Sequence, residues 1–181
     1  MPTWSPETTQ KALRFAAQAH EGQLVPGSPL PYIVHPVLVC MEVMAALRLG
    51  SEYDGELAVC CALLHDVLED TPVSYATLEA EFGAAVAAGV LALSKDPALP
   101  KDQQLPDSLK RIREQPGEIW LVKLADRITN LAPPPVYWSR EKRRNYREDA
   151  MLILDALGSA SPYLAGRLRE KIAAYKAYID S

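Results

Sequence analysis

A histidine and three carboxylates follow directly on a hydrophobic run in this chain. Leu57 to Leu64 is almost unbroken apolar sequence, and it leads into His65-Asp66-Val67-Leu68-Glu69-Asp70. Burying that much charge is costly unless something compensates for the lost water. Neutral imidazole and carboxylate are both metal ligands, so a bound cation is the natural compensator. On a continuous helix, residues four apart share a face. His65 with Glu69, and Asp66 with Asp70, then form adjacent polar stripes on one side of a buried helix. The pair His65-Asp66 therefore reads first as a metal site and then as a reaction centre.

Two further polar intrusions stand in apolar sequence. One is Leu121-Val122-Lys123-Leu124-Ala125-Asp126-Arg127-Ile128-Thr129-Asn130-Leu131, where Asp126 and Asn130 are again four apart. The other is Tyr32-Ile33-Val34-His35-Pro36, which puts His35 at a helix start beside a proline suited to a first turn. Each has a plain structural reading when taken alone. His35 reads as a capping histidine, Asp126 with Arg127 as a local ion pair, Asn130 as a cap and His20 as a packed core histidine. Four adjacent ionisable groups on a buried helix, by contrast, have few structural uses.

Helical periodicity dominates the elements that must position these groups, and no segment alternates like a strand. The pattern predicts helices over Thr8 to His20, Val37 to Leu49 and Asp54 to about Asp70, with Glu21 to Tyr32 as a loop. Ser74 opens a short helix that Gly83 ends, and Ala84 to Leu93 is apolar nearly all round and hence buried. Ser94 to Pro106, with three prolines and several charges, is expected to be a mobile flap. Helices follow over Gln104 to Gln115, Glu118 to Leu131, Ser139 to Leu157 and Pro162 to Ile179. The expected fold is an all-α bundle of eight to nine helices, forming one domain over residues 1–181.

Composition narrows the function. A net charge of −4 argues against a nucleic-acid polymer as partner, which usually needs a basic face. It still allows a small anion held by a local cluster such as Arg140 to Arg147, although such a run usually is a solvated helix face. No stretch approaches the roughly 20 apolar residues of a membrane span. Met1 to Glu7 has neither the basic start nor the apolar core of a signal peptide. The three cysteines, Cys40, Cys60 and Cys61, lack a Cys-x-x-Cys spacing and read as buried thiols in a reducing cytoplasm.

The order His35, His65-Asp66, Asp126 resembles the HD phosphohydrolase superfamily. Ala19-His20-Glu21-Gly22-Gln23, Pro31 to Pro36, Leu63 to Thr71, Phe82-Gly83 and Val122 to Leu131 together resemble the hydrolase domain of the RelA/SpoT family. Trp138-Ser139 with Lys142 and Tyr146 is similar to its single-domain members, the small alarmone hydrolases. The resemblance implies that His35, His65, Asp66 and Asp126 bind one divalent metal, manganese in that family. It implies that Glu69 and Asp70 orient and deprotonate the attacking water. Asn130 matches a residue near the ribose and 3′-phosphates, and Lys142 and Tyr146 match positions that contact phosphate. Lys95 and Lys101, in the expected flap, add positive charge. The implied reaction removes the 3′-pyrophosphate of a purine nucleotide, (p)ppGpp or (p)ppApp, and releases pyrophosphate. A nucleotide phosphomonoesterase, of 5′-nucleotidase or NADPH 2′-phosphatase type, is the alternative, and an idle nucleotide sensor a more distant one.

The sequence departs from the family around the substrate. The basic residues expected soon after the Gly-Gln motif are replaced by Leu24-Val25-Pro26-Gly27. The arginine expected after the Asp126 helix is absent, because Leu131 is followed by Ala132-Pro133. In Ser94-Lys95-Asp96-Pro97 the lysine is displaced from its family position. Leu24 and Val25 cannot stack on a base as an arginine does, so the choice between guanine and adenine stays open.

Overall fold

The computed structural model describes residues 3–50 and 52–180. Met1 and Pro2 of the N-terminal stretch lie outside the described residues. The elements are α1 (Pro6–Ala19), α2 (Val34–Leu47), α3 (Gly55–Leu64), α4 (Val67–Asp70), α5 (Tyr75–Phe82), α6 (Ala84–Leu93), α7 (Lys101–Arg113), α8 (Gly117–Asn130), α9 (Arg140–Leu157), α10 (Pro162–Tyr175) and α11 (Ala177–Asp180). Nine of these helices have eight residues or more and two are four-residue turns, which agrees with the expected all-α bundle. Among the described residues the only β pairing is one bridge, Leu24 to Pro31.

The apolar run before His65 folds as a helix without a solvent face. Eight of the ten residues of α3 are buried, as are ten of the fourteen in α8. A helix apolar on all sides must sit in the middle of a bundle. Accordingly α3 packs against α1, α2, α6 and α8, while α2 also packs on α8, and α9 and α10 cover α8. The Asp54 carboxylate caps α3, accepting from the amides of Glu56 and Leu57. Its own amide donates to buried Glu118 at the start of α8. The two helices are thus tied at their N-terminal ends, and further along the same pair His65 and Asp126 meet. Gly89 on α6 permits this packing: a β-carbon there would lie 2.5 Å from Ile119 Cδ1 and 3.0 Å from Cys61 Sγ.

Four expectations about the elements are corrected. The helix from Gly55 does not run on to Asp70; it turns at His65 and Asp66 and resumes as α4. The Ala62 carbonyl, which a continuous helix would offer to the Asp66 amide, accepts from His65 Nδ1 at 2.8 Å. α2 starts at Val34 rather than Val37, because tight turns from Pro31 and Tyr32 lead directly into it. His35 and Pro36 therefore lie within its first turn, where a proline costs no donor. The expected flap shrinks to the segment between Ser94 and Pro100, since α7 begins at Lys101 and continues through Pro106. Leu105, Leu109 and Ile112 are buried, and the Arg111 guanidinium donates to the carbonyls of Leu91, Ala92 and Ser94, clamping that segment's base. The last helix stops at Tyr175 and restarts as α11. All three cysteines are buried and unpaired. No helix among the described residues is long and apolar enough to cross a membrane.

Candidate active site

Three elements bring together His35, His65 and Asp126, with Asp66 against both histidines. α2 brings His35, the turn after α3 brings His65 and Asp66, and α8 brings Asp126. His35 Nε2 lies 3.2 Å from His65 Nε2, 3.4 Å from Asp126 Oδ1 and 3.5 Å from Asp66 Oδ2. His65 Nε2 lies 2.9 Å from Asp66 Oδ2 and 3.8 Å from Asp126 Oδ1. Ligands about 2.1 Å from one cation and at right angles to each other stand roughly 3 Å apart, so these spacings suit a shared ion. His35, His65 and Asp126 are buried, with exposures of 8%, 3% and 6%.

The outer partners aim the donors. His65 Nδ1 donates to the Ala62 carbonyl, which leaves its Nε2 lone pair facing the cluster. Thr129 Oγ1 donates to the Asp126 carbonyl at 2.8 Å, which leaves it as acceptor for His35 Nδ1 at 3.4 Å. Two imidazole lone pairs then face each other across 3.2 Å, which is repulsive unless a cation or a proton lies between them. The residues thus fit a divalent metal. Without one, burial opposes a charge on His65, yet the Asp66 carboxylate beside it and the more distant Asp126 hold the ring's pKa up at about 9. Burial works equally against the Asp126 carboxylate, and the Lys123 ammonium at 3.1 Å, with the histidines, holds it well below the usual range.

The two remaining acids stand beside the cluster, both exposed. Glu69 is held by Lys95 twice, from the backbone amide and from Nζ, each at 2.8 Å. Asp70 Oδ2 lies 3.5 Å from the Tyr32 hydroxyl, which donates to Asp66 Oδ2 at 2.7 Å. Tyr32 therefore bridges a cluster acid and a candidate base. Burial, with Asp66 next to it, pushes its phenol far up, so it remains a neutral donor. Partial burial, then Asp66 and Glu69, raise the Asp70 carboxyl above the ordinary range. The Gln23 side-chain oxygen accepts from His20 Nδ1 at 2.8 Å, and its amide nitrogen donates to the Asp70 carbonyl.

Residues 12–160 match a family model described as HD domain. The chain belongs to the HD domain family. It is similar to the zebrafish (Danio rerio) guanosine-3′,5′-bis(diphosphate) 3′-pyrophosphohydrolase, at 29% identity over 88% of this chain and 89% of the relative. It is also similar to the bifunctional (p)ppGpp synthase/hydrolase of Escherichia coli, at 38% identity over 81% of this chain, but it spans only 21% of that relative. Among solved structures, a metazoan ortholog of SpoT described as hydrolysing ppGpp superposes with a TM-score of 0.82 at 27% identity, covering 95% of this chain and 97% of the other.

Around this HD centre the remaining sequence candidates fall in different places. Asn130 donates its side-chain amide to Asp126 Oδ1 and so pins a candidate ligand oxygen. Lys95 is engaged by Glu69 rather than standing free. Lys142 Nζ rests 4.2 Å from the centre of the Trp138 ring, and Tyr146 is packed between Trp138 and the Arg127 guanidinium. Asn130 and Tyr146 line one cleft beside His35, whereas Lys142 stands behind that cleft's Trp138 wall. Lys101 is the exposed first residue of α7. Sequence reasoning did not single out Tyr32, Lys123 or Thr129. Lys123 and Thr129 stand three residues either side of Asp126 on one helix, a spacing that signals contact. Tyr32 carries no comparable signal, since its hydroxyl meets Asp66 only through the tertiary fold.

Proposed function

We propose that this HD protein is a metal-dependent phosphohydrolase that removes the 3′-pyrophosphate of purine alarmone nucleotides, (p)ppGpp or (p)ppApp, and releases pyrophosphate. The observation that carries the reading is the convergence of His35, His65 and Asp126, with Asp66 against both histidines, beside the acid pair Glu69 and Asp70. The relatives' names support the same reaction and not the phosphomonoesterase alternative. Two imidazoles and two carboxylates suit manganese, the ion we assign to the site. A bound divalent ion supplies a Lewis acid for a phosphoryl oxygen and lowers the pKa of a coordinated water.

The chain's own groups do the rest. His35, His65, Asp66 and Asp126 fix where the phosphate sits. Glu69 and Asp70 accept the proton of the attacking water, and burial beside Asp66 raises the Asp70 carboxyl, which favours it as a proton acceptor. Tyr32 holds Asp66 and Asp70 in register, and Lys95 keeps Glu69 extended toward the site's edge. The water oxygen bonds to the phosphorus attached to the ribose, the bond to O3′ breaks, and O3′ takes up a proton. α1 and α10 extend beyond the family match yet contact the same central helices, which supports one HD domain over the chain. Buried, unpaired cysteines and a small nucleotide substrate support a cytoplasmic location.

Manganese-loaded protein incubated with ppGpp, followed by phosphorus NMR, tests the reading. Pyrophosphate and a nucleotide with a free 3′-hydroxyl are expected. Orthophosphate as the first product would instead make the protein a phosphomonoesterase.

A further inference from the structure

We propose that the cleft beside the metal cluster is a cation-free compartment for the nucleoside, so that the preferred substrates carry no more than one phosphate at the 5′ end. This rests on the 3′-pyrophosphohydrolase reading and shifts its preferred substrates from the 5′-di- and triphosphates to nucleotides with fewer 5′-phosphates. It sets the chain apart from relatives named for a 3′,5′-bis(diphosphate).

The cleft has a volume of about 610 Å³ and borders His35, Thr129 and Asn130, so a nucleotide whose phosphate is held at the cluster has its remainder there. That volume lies within the roughly 300–1,000 Å³ usual for small-molecule sites. Another pocket touching the site, between Glu69 and Lys95, holds about 170 Å³. Two loops wall the large cleft, and they are two of the three segments where the sequence departs from the family it resembles. One is the tip of a small hairpin from Val25 to Leu30, closed by the Leu24 bridge and by the Val25 amide donating to the Leu30 carbonyl at 2.9 Å. The other is the triple-proline run Pro133 to Pro135 and its continuation to Trp138. They touch at Gly27, whose φ of 76° and closeness to Pro135 exclude a side chain: a β-carbon would lie 3.0 Å from Pro135 Cβ.

None of the residues lining the cleft is lysine, arginine, aspartate or glutamate. Its polar offerings include the Tyr175 hydroxyl, which is buried and has no partner among the described residues. Two cations lie behind its aromatic walls. Arg127 is buried against the Tyr146 ring at 4.3 Å, and Lys142 is the exposed one on Trp138. A neutral ring and sugar match such walls. A diphosphate placed there loses water and meets no charged lysine or arginine among the lining residues.

The test uses the manganese-loaded full chain and purine nucleoside 3′-pyrophosphates bearing a 5′-hydroxyl, mono-, di- or triphosphate. We expect kcat/KM to stay level or fall from the 5′-monophosphate upward. Dissociation constants of the metal-free protein for the same series, read from tryptophan fluorescence, should stay level or rise in the same direction. A rise of about threefold or more in kcat/KM, or an equal fall in the dissociation constant, from mono- to diphosphate would overturn the proposal, since one charge-assisted hydrogen bond is worth about tenfold. Leu30→Arg, at a half-exposed position on the cleft wall, should raise kcat/KM for the diphosphate selectively by about tenfold on the same reasoning. No selective gain would also count against it. Failure to cleave any member of the series would instead overturn the hydrolase reading itself.

Discussion

Lys123 and Asp126 lie one turn apart on α8, and both are buried. The ammonium takes Asp126 Oδ2, the oxygen not facing His35, so Oδ1 alone is presented to the cluster. Removing one member of a buried pair leaves the other charge without compensation. Lys123→Met should therefore destabilise the metal-free protein by about 3 kcal/mol in urea unfolding, the lower end of such effects because Asn130 still donates to Asp126. Glu69 and Asp70 predict the opposite separation of binding from turnover. Glu69→Gln combined with Asp70→Asn should leave metal content unchanged and lower kcat by about 10²–10⁴-fold, the scale of general-base catalysis. Near-normal turnover would remove the pair from the mechanism. At this scale the cluster acids were legible in the sequence because charge is conspicuous in apolar surroundings. Tyr32 was not, because a tyrosine is ordinary anywhere and its partner lies 34 residues away.

The helices were legible to the extent that one period covered them. α3, α6 and α8 follow directly from apolar sequence long enough to need a buried axis. The break at His65 and Asp66 was not, since it depends on a ring nitrogen competing for a carbonyl rather than on a breaker residue. The break matters for function. It turns His65 and Asp66 together toward His35, while α4 directs Glu69 to Lys95 and Asp70 to Tyr32. The expected flap is shorter than its prolines suggested for a related reason: Pro106 looked like a breaker, but buried Leu105 and Ile112 and the Arg111 clamp decide the local structure. α3 is the element that carries this arrangement, and Leu64 is its last residue, fully buried against the core. Leu64→Ala should cost about 2–5 kcal/mol in urea unfolding, the usual range for a buried leucine. A loss under ~1 kcal/mol would mean that the α3 end is loosely packed.

At the scale of the molecule, an acidic protein gathers its working charges at one point. The bundle's three central helices, α2, α3 and α8, converge on the cluster, and the family match covers the segments that carry them. Composition argued against a nucleic-acid polymer but was blind to the cleft, whose walls meet only when the hairpin tip reaches the triple-proline loop. A cluster built for a cation should also link metal to stability. Manganese at a hundred times its dissociation constant should stabilise the fold by about 2.7 kcal/mol over the chelated protein. The most direct measurement is to strip the protein with chelator and titrate manganese back. Bound metal and pyrophosphate release from ppGpp are followed together, in wild type and in Asp66→Ala. The structure predicts that both return in wild type at one ion per chain and that neither returns in Asp66→Ala. Full activity in the stripped protein, or an active metal-loaded Asp66→Ala, would contradict it.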